Sequence, residues 1–407
     1  MTESNSQKTA RIFALAKGLS APLEALWLLL AFLFCKELGA SPLQVTILVA
    51  MKPISALGAF YGSVLILGRR ARLKSYLIGV TLGGLLPCLF FPFVDNLWFF
   101  IAANGCFWIS SRALILAWGE IFKLNLKHEE RGKAFSRGSS LHSIIHILVP
   151  ILISPWLDYD PSSWKWIFFL LALVQAFNLI LIRGLPIPEG AKTAPPRPSW
   201  LLPWKQGIAL LKERKDFRHF QWVFFLGGGG LIMMHPVLPF FFKETLSLSY
   251  TEVSLATSVA KGLFFALSSS YWAKLYTKLP IYSFNTLVTS LAAGFAFLLI
   301  VSPWIPSGLF LAYALYGVMQ AGSEMSWNLS GPLFAKEGES TLFSSVNVAC
   351  VGIRGSIAPF IGELLYLTGS KTLVFFVGGL LCLSGSLLSR RPPEKETIDV
   401  SLKQEIV

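Results

Sequence analysis

The sequence predicts an all-α integral membrane protein of twelve transmembrane helices in two pseudo-symmetric six-helix bundles. Three observations carry that prediction. The 407-residue chain is 54% hydrophobic, with a mean hydropathy of +0.61. Its apolar residues gather in runs of about 20, the length that crosses a bilayer, and twelve such runs can be placed. Short echoes recur in the same order in both halves.

The runs lie at 18–35, 42–66, 74–93, 97–122, 135–157, 163–183, 219–242, 250–274, 281–303, 308–334, 343–368 and 371–389. Trp98, Trp156, Trp164, Trp166 and Trp304 fall near run ends, as an interfacial aromatic belt requires. The polar stretch Met1 to Ala10 precedes a first run without a small-residue cleavage site, so that run reads as a retained helix rather than a removed signal peptide. Cys35, Cys88, Cys106, Cys350 and Cys382 lie in or beside apolar runs with no paired spacing. They read as small membrane hydrophobes, not as a disulfide framework or a metal cluster.

Charge sets the expected orientation. Of the 35 Lys and Arg, 27 fall in segments 1–17, 67–74, 123–137, 183–218, 274–278, 336–341 and 390–407. Loops on the other side hold only Lys36, Lys165, Lys243 and Lys371. The positive-inside rule then places both termini and the long middle loop in the cytoplasm, in a multi-pass cell (inner or plasma) membrane protein. The +13 net charge is a mark of topology, and no nucleic-acid partner is expected.

The longest polar connection divides the chain. Its first part, with Pro186, Pro188, Pro195, Pro196 and Pro198, should be extended. Its second part, Trp200 to Phe217, alternates Leu201, Leu202, Ile208, Leu210 and Leu211 with Lys205, Lys212, Arg214 and Lys215, a pattern for an amphipathic surface helix. The expected organisation is a six-helix bundle at 1–184, a linker at 185–217, a second bundle at 218–389 and a tail at 390–407.

The echoes support the repeat. Phe34-Cys35-Lys36-Glu37 parallels Phe241-Phe242-Lys243-Glu244, and Ser41 to Val45 parallels Ser249 to Val253. Lys52 and Lys261 follow those serines at nearly equal intervals, and Val149-Pro150 parallels Ala358-Pro359. Parallel six-helix repeats are an architecture of secondary transporters, with sites near the midplane.

At this point the chain resembles the major facilitator superfamily over nearly its whole length. The basic turn after the second run starts with Gly62 and ends with Gly68-Arg69-Arg70, but Ile66 and Leu67 replace the family's Asp-Arg. Arg131-Gly132-Lys133-Ala134-Phe135-Ser136 resembles the family's turn before the fifth helix, and Gly352-Ile353-Arg354-Gly355 with Ala358-Pro359 resembles its eleventh. Family drug antiporters carry Gly-Pro in the fifth helix, which Val149-Pro150-Ile151 does not match. The resemblance implies alternating access, with the first, fourth, seventh and tenth helices lining a central cavity and the second, fifth, eighth and eleventh closing its sides.

Four cations, Lys52, Arg112, Lys261 and Arg354, fall near the middle of apolar runs, two in each half. A charge at the centre of a membrane helix costs about 2.5–3.5 kcal/mol on insertion scales, so it faces a cavity, a partner or a ligand. All strongly polar residues at depth lie on the eight helices that the resemblance assigns to the cavity. The third, sixth, ninth and twelfth runs carry only amides such as Asn178 and Asn285. In the tenth, Tyr316, Gln320, Glu324 and Asn328 recur at i, i+4 and share one face, flanked by Tyr313 and Trp327. The fourth places Asn104, Trp108, Ser111 and Arg112 together, the eighth Ser254, Thr257, Ser258 and Lys261, and the fifth Ser139, His142 and His146. In the seventh, Gly227 to Gly230 before His235-Pro236 and Pro239 should weaken the helix. Glu120 and Glu363 stand near run ends and are expected to be solvated. Many of these Ser, Thr and Asn residues serve equally well as plain helix–helix glue.

At depth the cations exceed the carboxylates Glu324 and Glu24, and an incoming anion would relieve that excess. Arg grips carboxylate or phosphate in bidentate fashion and Lys adds a point charge. The expected solute is therefore small, organic, and anionic or zwitterionic. The expected binding residues are Lys52, Arg112, Trp108, Lys261, Tyr316, Gln320, Trp327, Asn328 and Arg354. The expected proton-coupling residues are Glu324, His146, His235 and Glu24, making the reading a symporter, with protons as the candidate coupling ion. Arg112 and Glu324 could instead form a structural ion pair. His142 and His146 have metal-ligand spacing without a third ligand at a helpful interval, so no metal or other cofactor is expected. The lipid bilayer is the other partner, and the chain is expected to act as a monomer. The alternatives are a multidrug/proton exporter, a transporter-like lipid scramblase or sensor, and an integral-membrane enzyme. Against the last, there is no Asp-rich diphosphate motif, no His-Glu-x-x-His, no Gly-x-Ser-x-Gly and no P-loop.

Overall fold

The computed structural model describes residues 4–57, 73–186, 202–305, 307–335 and 340–391. Each apolar run becomes a helix, because a backbone in hydrocarbon must satisfy its own hydrogen bonds. In chain order these are α1 (Asn5–Glu37), α2 (Pro42–Leu57), α3 (Leu73–Leu85, continued as a tighter turn over Leu86–Phe93), α4 (Leu97–Asn125), α5 (His128–Tyr159) and α6 (Trp164–Arg183). Then come the short surface helix α7 (Leu202–Glu213), α8 (Lys215–Met234), α9 (Tyr250–Lys278), α10 (Ile281–Val301), α11 (Gly308–Phe334), α12 (Ser340–Thr368) and α13 (Lys371–Ser389).

Among the described residues nine helices are long and apolar enough to cross a membrane. A tenth span is the pair Lys215–Met234 and Leu238–Thr245, bent by 40°. α2 is a shorter apolar helix, and α11 has the length while its polar stripe lowers its hydropathy. With these, all twelve expected spans are represented. The degenerate turn around Gly62 to Arg70, the Pro-rich part of the linker and the basic tail after 391 lie outside the described residues.

Local chemistry sets the helix ends. Ser41 Oγ accepts from Gln44 N at 3.3 Å while Gln44 Oε1 accepts from Ser41 N at 2.9 Å. Ser249 and Glu252 make the same reciprocal pair at 3.1 and 2.8 Å. The echo between the halves is thus a capping box at the start of α2 and of α9. Two expected starts move outward. α1 begins at Asn5 rather than near 18, its polar first turns capped by Ser4. The stretch Arg131 to Ser136 is not a turn but lies inside α5, which starts at His128. Arg131 Nε donates to the Leu126 carbonyl at 3.2 Å, a cation meeting the orphan carbonyls at the end of α4.

The helices group into two compact units, one of α1 and α3–α6, the other of α2 and α7–α13. In the first, α1 lies along α5 and α6, and Phe13 packs edge-on against Trp118 and Phe122 with centroids 5.1 and 4.7 Å apart. In the second, α2 lies along α12, and Phe217, Phe220, Phe334 and Phe343 join α8, α11 and α12 at one end.

The polyglycine run does not break its helix. α8 continues through Gly227 to Gly230 and ends at Met234, and the bend follows at His235-Pro236-Val237. Pro236 has no N–H to donate, and that is the stronger helix-ending signal. The glycines act as contact points instead: a Cβ on Gly230 would meet the Gly378 carbonyl of α13.

Candidate functional site

Within the second unit, charged residues from four elements converge. Lys52 stands on α2, His235 at the bend after α8, Lys261 on α9 and Glu324 on α11. Lys261 lies within Coulombic reach of both Lys52 and Glu324, and His235 within reach of both lysines. Two features place Lys261 there. Residues Leu255–Ala260 form a π-helical turn, which shifts the register of the residues after it. Directly opposite, Gly317 lets α11 approach so closely that any Cβ there would overlap the Lys261 carbonyl.

The stripe on α11 is tied together. Gln320 Nε2 donates to Glu324 Oε1 at 2.9 Å, and Asn328 Nδ2 donates to the Glu324 carbonyl at 2.8 Å. Glu324 and Asn328 are exposed and Gln320 is half-buried, so the carboxylate is held in place without being sealed. Tyr316 instead packs on Phe295 at 4.7 Å, and Trp327 is half-buried among the core residues of α8–α12.

The same unit holds Arg354, in a different setting. Its side chain is buried, its Nη1 donates to the Phe224 carbonyl, and its guanidinium lies 5.7 Å from the Phe224 ring centroid. It lies where a Cβ on Gly228 would be. Arg354 is therefore engaged with the backbone of α8.

The first unit builds its own cluster. Glu24 Oε2 and His142 Nε2 are 3.0 Å apart, and His142 stacks on His146 with centroids 5.5 Å apart. Arg112 lies within Coulombic reach of Glu24, so each of Arg112 and Glu324 has an opposite charge inside its own unit. Trp108 is buried against Phe107, with ring centroids 5.3 Å apart. No group of three His, Cys, Asp or Glu among the described residues is placed to hold a metal ion.

Several expectations change here. Glu120 and Glu363 are buried, not solvated, at 7% exposure each, and Glu120 has Lys123 3.8 Å away. Proximity to a helix end in sequence does not exclude cover from neighbouring helices. In α9, Ser254 is fully buried and Thr257 Oγ1 donates back to the Val253 carbonyl at 2.8 Å, so these two side chains serve packing and backbone. The contact between Glu24 and His142 was missed, because 118 residues separate them. The only sequence signal was that both are polar at similar depth.

The match to the Major Facilitator Superfamily spans residues 15–359. Among curated proteins none matches the chain. Solved structures share the architecture at low identity. A POT family transporter in complex with a thioalcohol-conjugated peptide is 14% identical, with TM-score 0.74 over 93% of this chain and 94% of that one. The nucleoside transporter NupG is 15% identical, with TM-score 0.72 over 94% and 98%. The inward-open xylose transporter XylE from E. coli is 11% identical, with TM-score 0.65 over 98% of each chain. With its spans, its repeat and this match together, the chain belongs to the Major Facilitator Superfamily and is a multi-pass membrane transporter.

Proposed function

We propose that the protein is a secondary active transporter for a small anionic or zwitterionic organic solute, working by alternating access and coupled to protons. The observation that carries this reading is the cluster in which Lys52 and Lys261 lie within Coulombic reach of the Glu324 carboxylate and His235 lies within reach of both lysines. Two ammonium groups beside one accessible carboxylate offer an arriving anion charge-assisted contacts. Gln320, Asn328, Tyr316 and Trp327 complete the α11 side of this site, while Arg112 and Trp108 belong to the first unit's own cluster. Arg354, held against α8, takes the role of shaping that helix instead of gripping solute. One structural relative holds 5-aminolevulinic acid, a solute of zwitterionic class, which is in keeping with this choice.

Glu324 is the first candidate for proton exchange: an exposed carboxylate beside lysines can trade its counter-ion for substrate. Glu24 with His142 and His146 is the second, since a carboxylate at 3.0 Å from an imidazole can pass a proton. The basic segments support cytoplasmic termini in a cell membrane, which cysteine labelling at Ser4 and Arg391 from either side would check. The functional test is flux in proteoliposomes for a panel of carboxylates, phosphates and amino acids, with and without a proton gradient. We expect gradient-driven uptake of a subset of anions or zwitterions, lost in the Lys52→Met/Lys261→Met protein. Uptake of lipophilic cations that survives this double substitution would overturn the solute class.

A further inference from the structure

The first unit contains a cavity of about 270 Å³ between α1, α3, α4, α5 and α6, beyond the residues that the transport reading uses for solute. Thr81, Gln175 and Asn178 line it, from helices α3 and α6, where the sequence placed only amides and no charge. All three are more than nine-tenths buried, and Thr81 Oγ1, Gln175 Oε1 and Asn178 Oδ1 have no hydrogen-bond partner in the described structure. Unpaired buried acceptors of this kind are uncommon and costly.

The amide of Asn178 is oriented by its other end. Its Nδ2 donates to the Ala16 carbonyl at 3.3 Å, so the atom left over is the acceptor. Gln175 stands three residues earlier and shares that face of α6. The terminal torsion of a glutamine is broad, so its oxygen can turn onto an occupant at little cost.

The rest of the wall narrows the occupant's chemistry. Phe13, Trp118 and Phe122 pack edge-on together in one part of the wall, and Phe107 lines it further along α4. Lys17 and Glu24 contribute one charge of each sign, so neither an anion nor a cation is favoured by the wall as a whole. Ser20, Ser110 and Ser111 add hydroxyls to the wall and the remaining lining is apolar, so an occupant with one polar end and an apolar body suits it.

We infer that this intra-bundle cavity is a second binding site, for a neutral hydroxyl-bearing molecule with an aromatic or aliphatic body. The hydroxyl donates to Gln175 Oε1 once that amide turns toward the cavity, Thr81 closes the polar end, and the body lies against Phe13 and Trp118.

The test uses 4-fluorobenzyl alcohol, followed by fluorine NMR on the purified full-length protein, with 4-fluorotoluene and 4-fluorobenzoate as comparison probes. The expected result is saturable binding of the alcohol, tighter than the toluene, with the benzoate weakest. Gln175→Leu/Asn178→Leu should weaken the alcohol by about tenfold and leave the toluene unchanged, because it removes acceptors and keeps an apolar cavity. Thr81→Val, nearly isosteric, is the second variant if the double one does not fold, and should weaken the alcohol severalfold. Equal binding of alcohol and toluene, or no saturable binding of either, would overturn the site and leave a hydrated void. Displacement of the alcohol by a transported anion would also overturn it, since the two would then share the transport site.

Discussion

The two charged clusters differ in balance. In the first unit, Glu24 meets His142 at 3.0 Å and Arg112 within Coulombic range, so its carboxylate is already partnered. In the second, Glu324 faces both Lys52 and Lys261, with His235 beside them, and its own hydrogen bond goes to the neutral amide of Gln320. One unit thus sets a carboxylate beside an imidazole and a guanidinium, and the other sets a carboxylate beside two ammonium groups. On the proposed reading, the second cluster is where an anionic solute would bind and the first is where a proton would be exchanged.

The sharpest way to break this comparison is to remove one of those ammonium groups. Lys261→Met takes away a cation within Coulombic reach of Lys52, Glu324 and His235 and leaves the backbone contact with Gly317 as it is. Losing one charge-assisted contact to a bound anion costs about 2–3 kcal/mol. We therefore expect the KM for an anionic solute to rise by roughly 30-fold or more, with insertion and folding intact. Anion flux unchanged in this variant would place the recognition elsewhere.

A smaller effect is expected in the first unit. Glu24→Gln keeps an acceptor for His142 but removes the charge, which should cost about 1–3 kcal/mol as a buried hydrogen bond to a charged group is replaced by a neutral one. Uptake without a gradient should persist while stimulation by an inward proton gradient falls. If gradient stimulation is retained in Glu24→Gln and lost in Glu324→Gln, the second cluster alone carries the proton.

The spans and their order were legible because hydrocarbon imposes one solution on the backbone, and an apolar run of bilayer length has few alternatives. Asn96, Pro280 and Ser370 fix starts of α4, α10 and α13 within a residue or so of their sequence-based positions. The four cations were legible as oddities, yet their partners were not. Arg354 finds a backbone carbonyl 130 residues away, and Gly228 of α8 leaves room for it. The π turn at Leu255–Ala260 leaves no mark in composition, so the expected polar face of α9 was drawn with the wrong period. Glu24 and His142 illustrate the general limit: pairing across helices depends on rotation about each axis, which a single sequence of similar apolar residues constrains weakly.

The smallest effect sharpens the repeat itself. Ser41 with Gln44 and Ser249 with Glu252 close the same reciprocal cap at the starts of α2 and α9, the helices that carry Lys52 and Lys261. Replacing an N-cap serine by alanine costs about 1 kcal/mol, so Ser41→Ala and Ser249→Ala should each lower thermal stability by a small and similar amount. The acidic partner adds one difference. Glu252 places a negative charge at the positive end of its helix, whereas Gln44 is neutral, and such a charge contributes about 0.3–1 kcal/mol at low ionic strength. Ser249→Ala keeps that charge at the α9 terminus. Glu252→Gln removes it and makes the second cap chemically equal to the first. Thermal unfolding of Glu252→Gln at low and high salt should therefore differ from the parent protein only at low salt. A salt-independent loss would mean that the cap of α9 acts through its hydrogen bonds alone, and that the two repeats start their lysine-bearing helices by one mechanism.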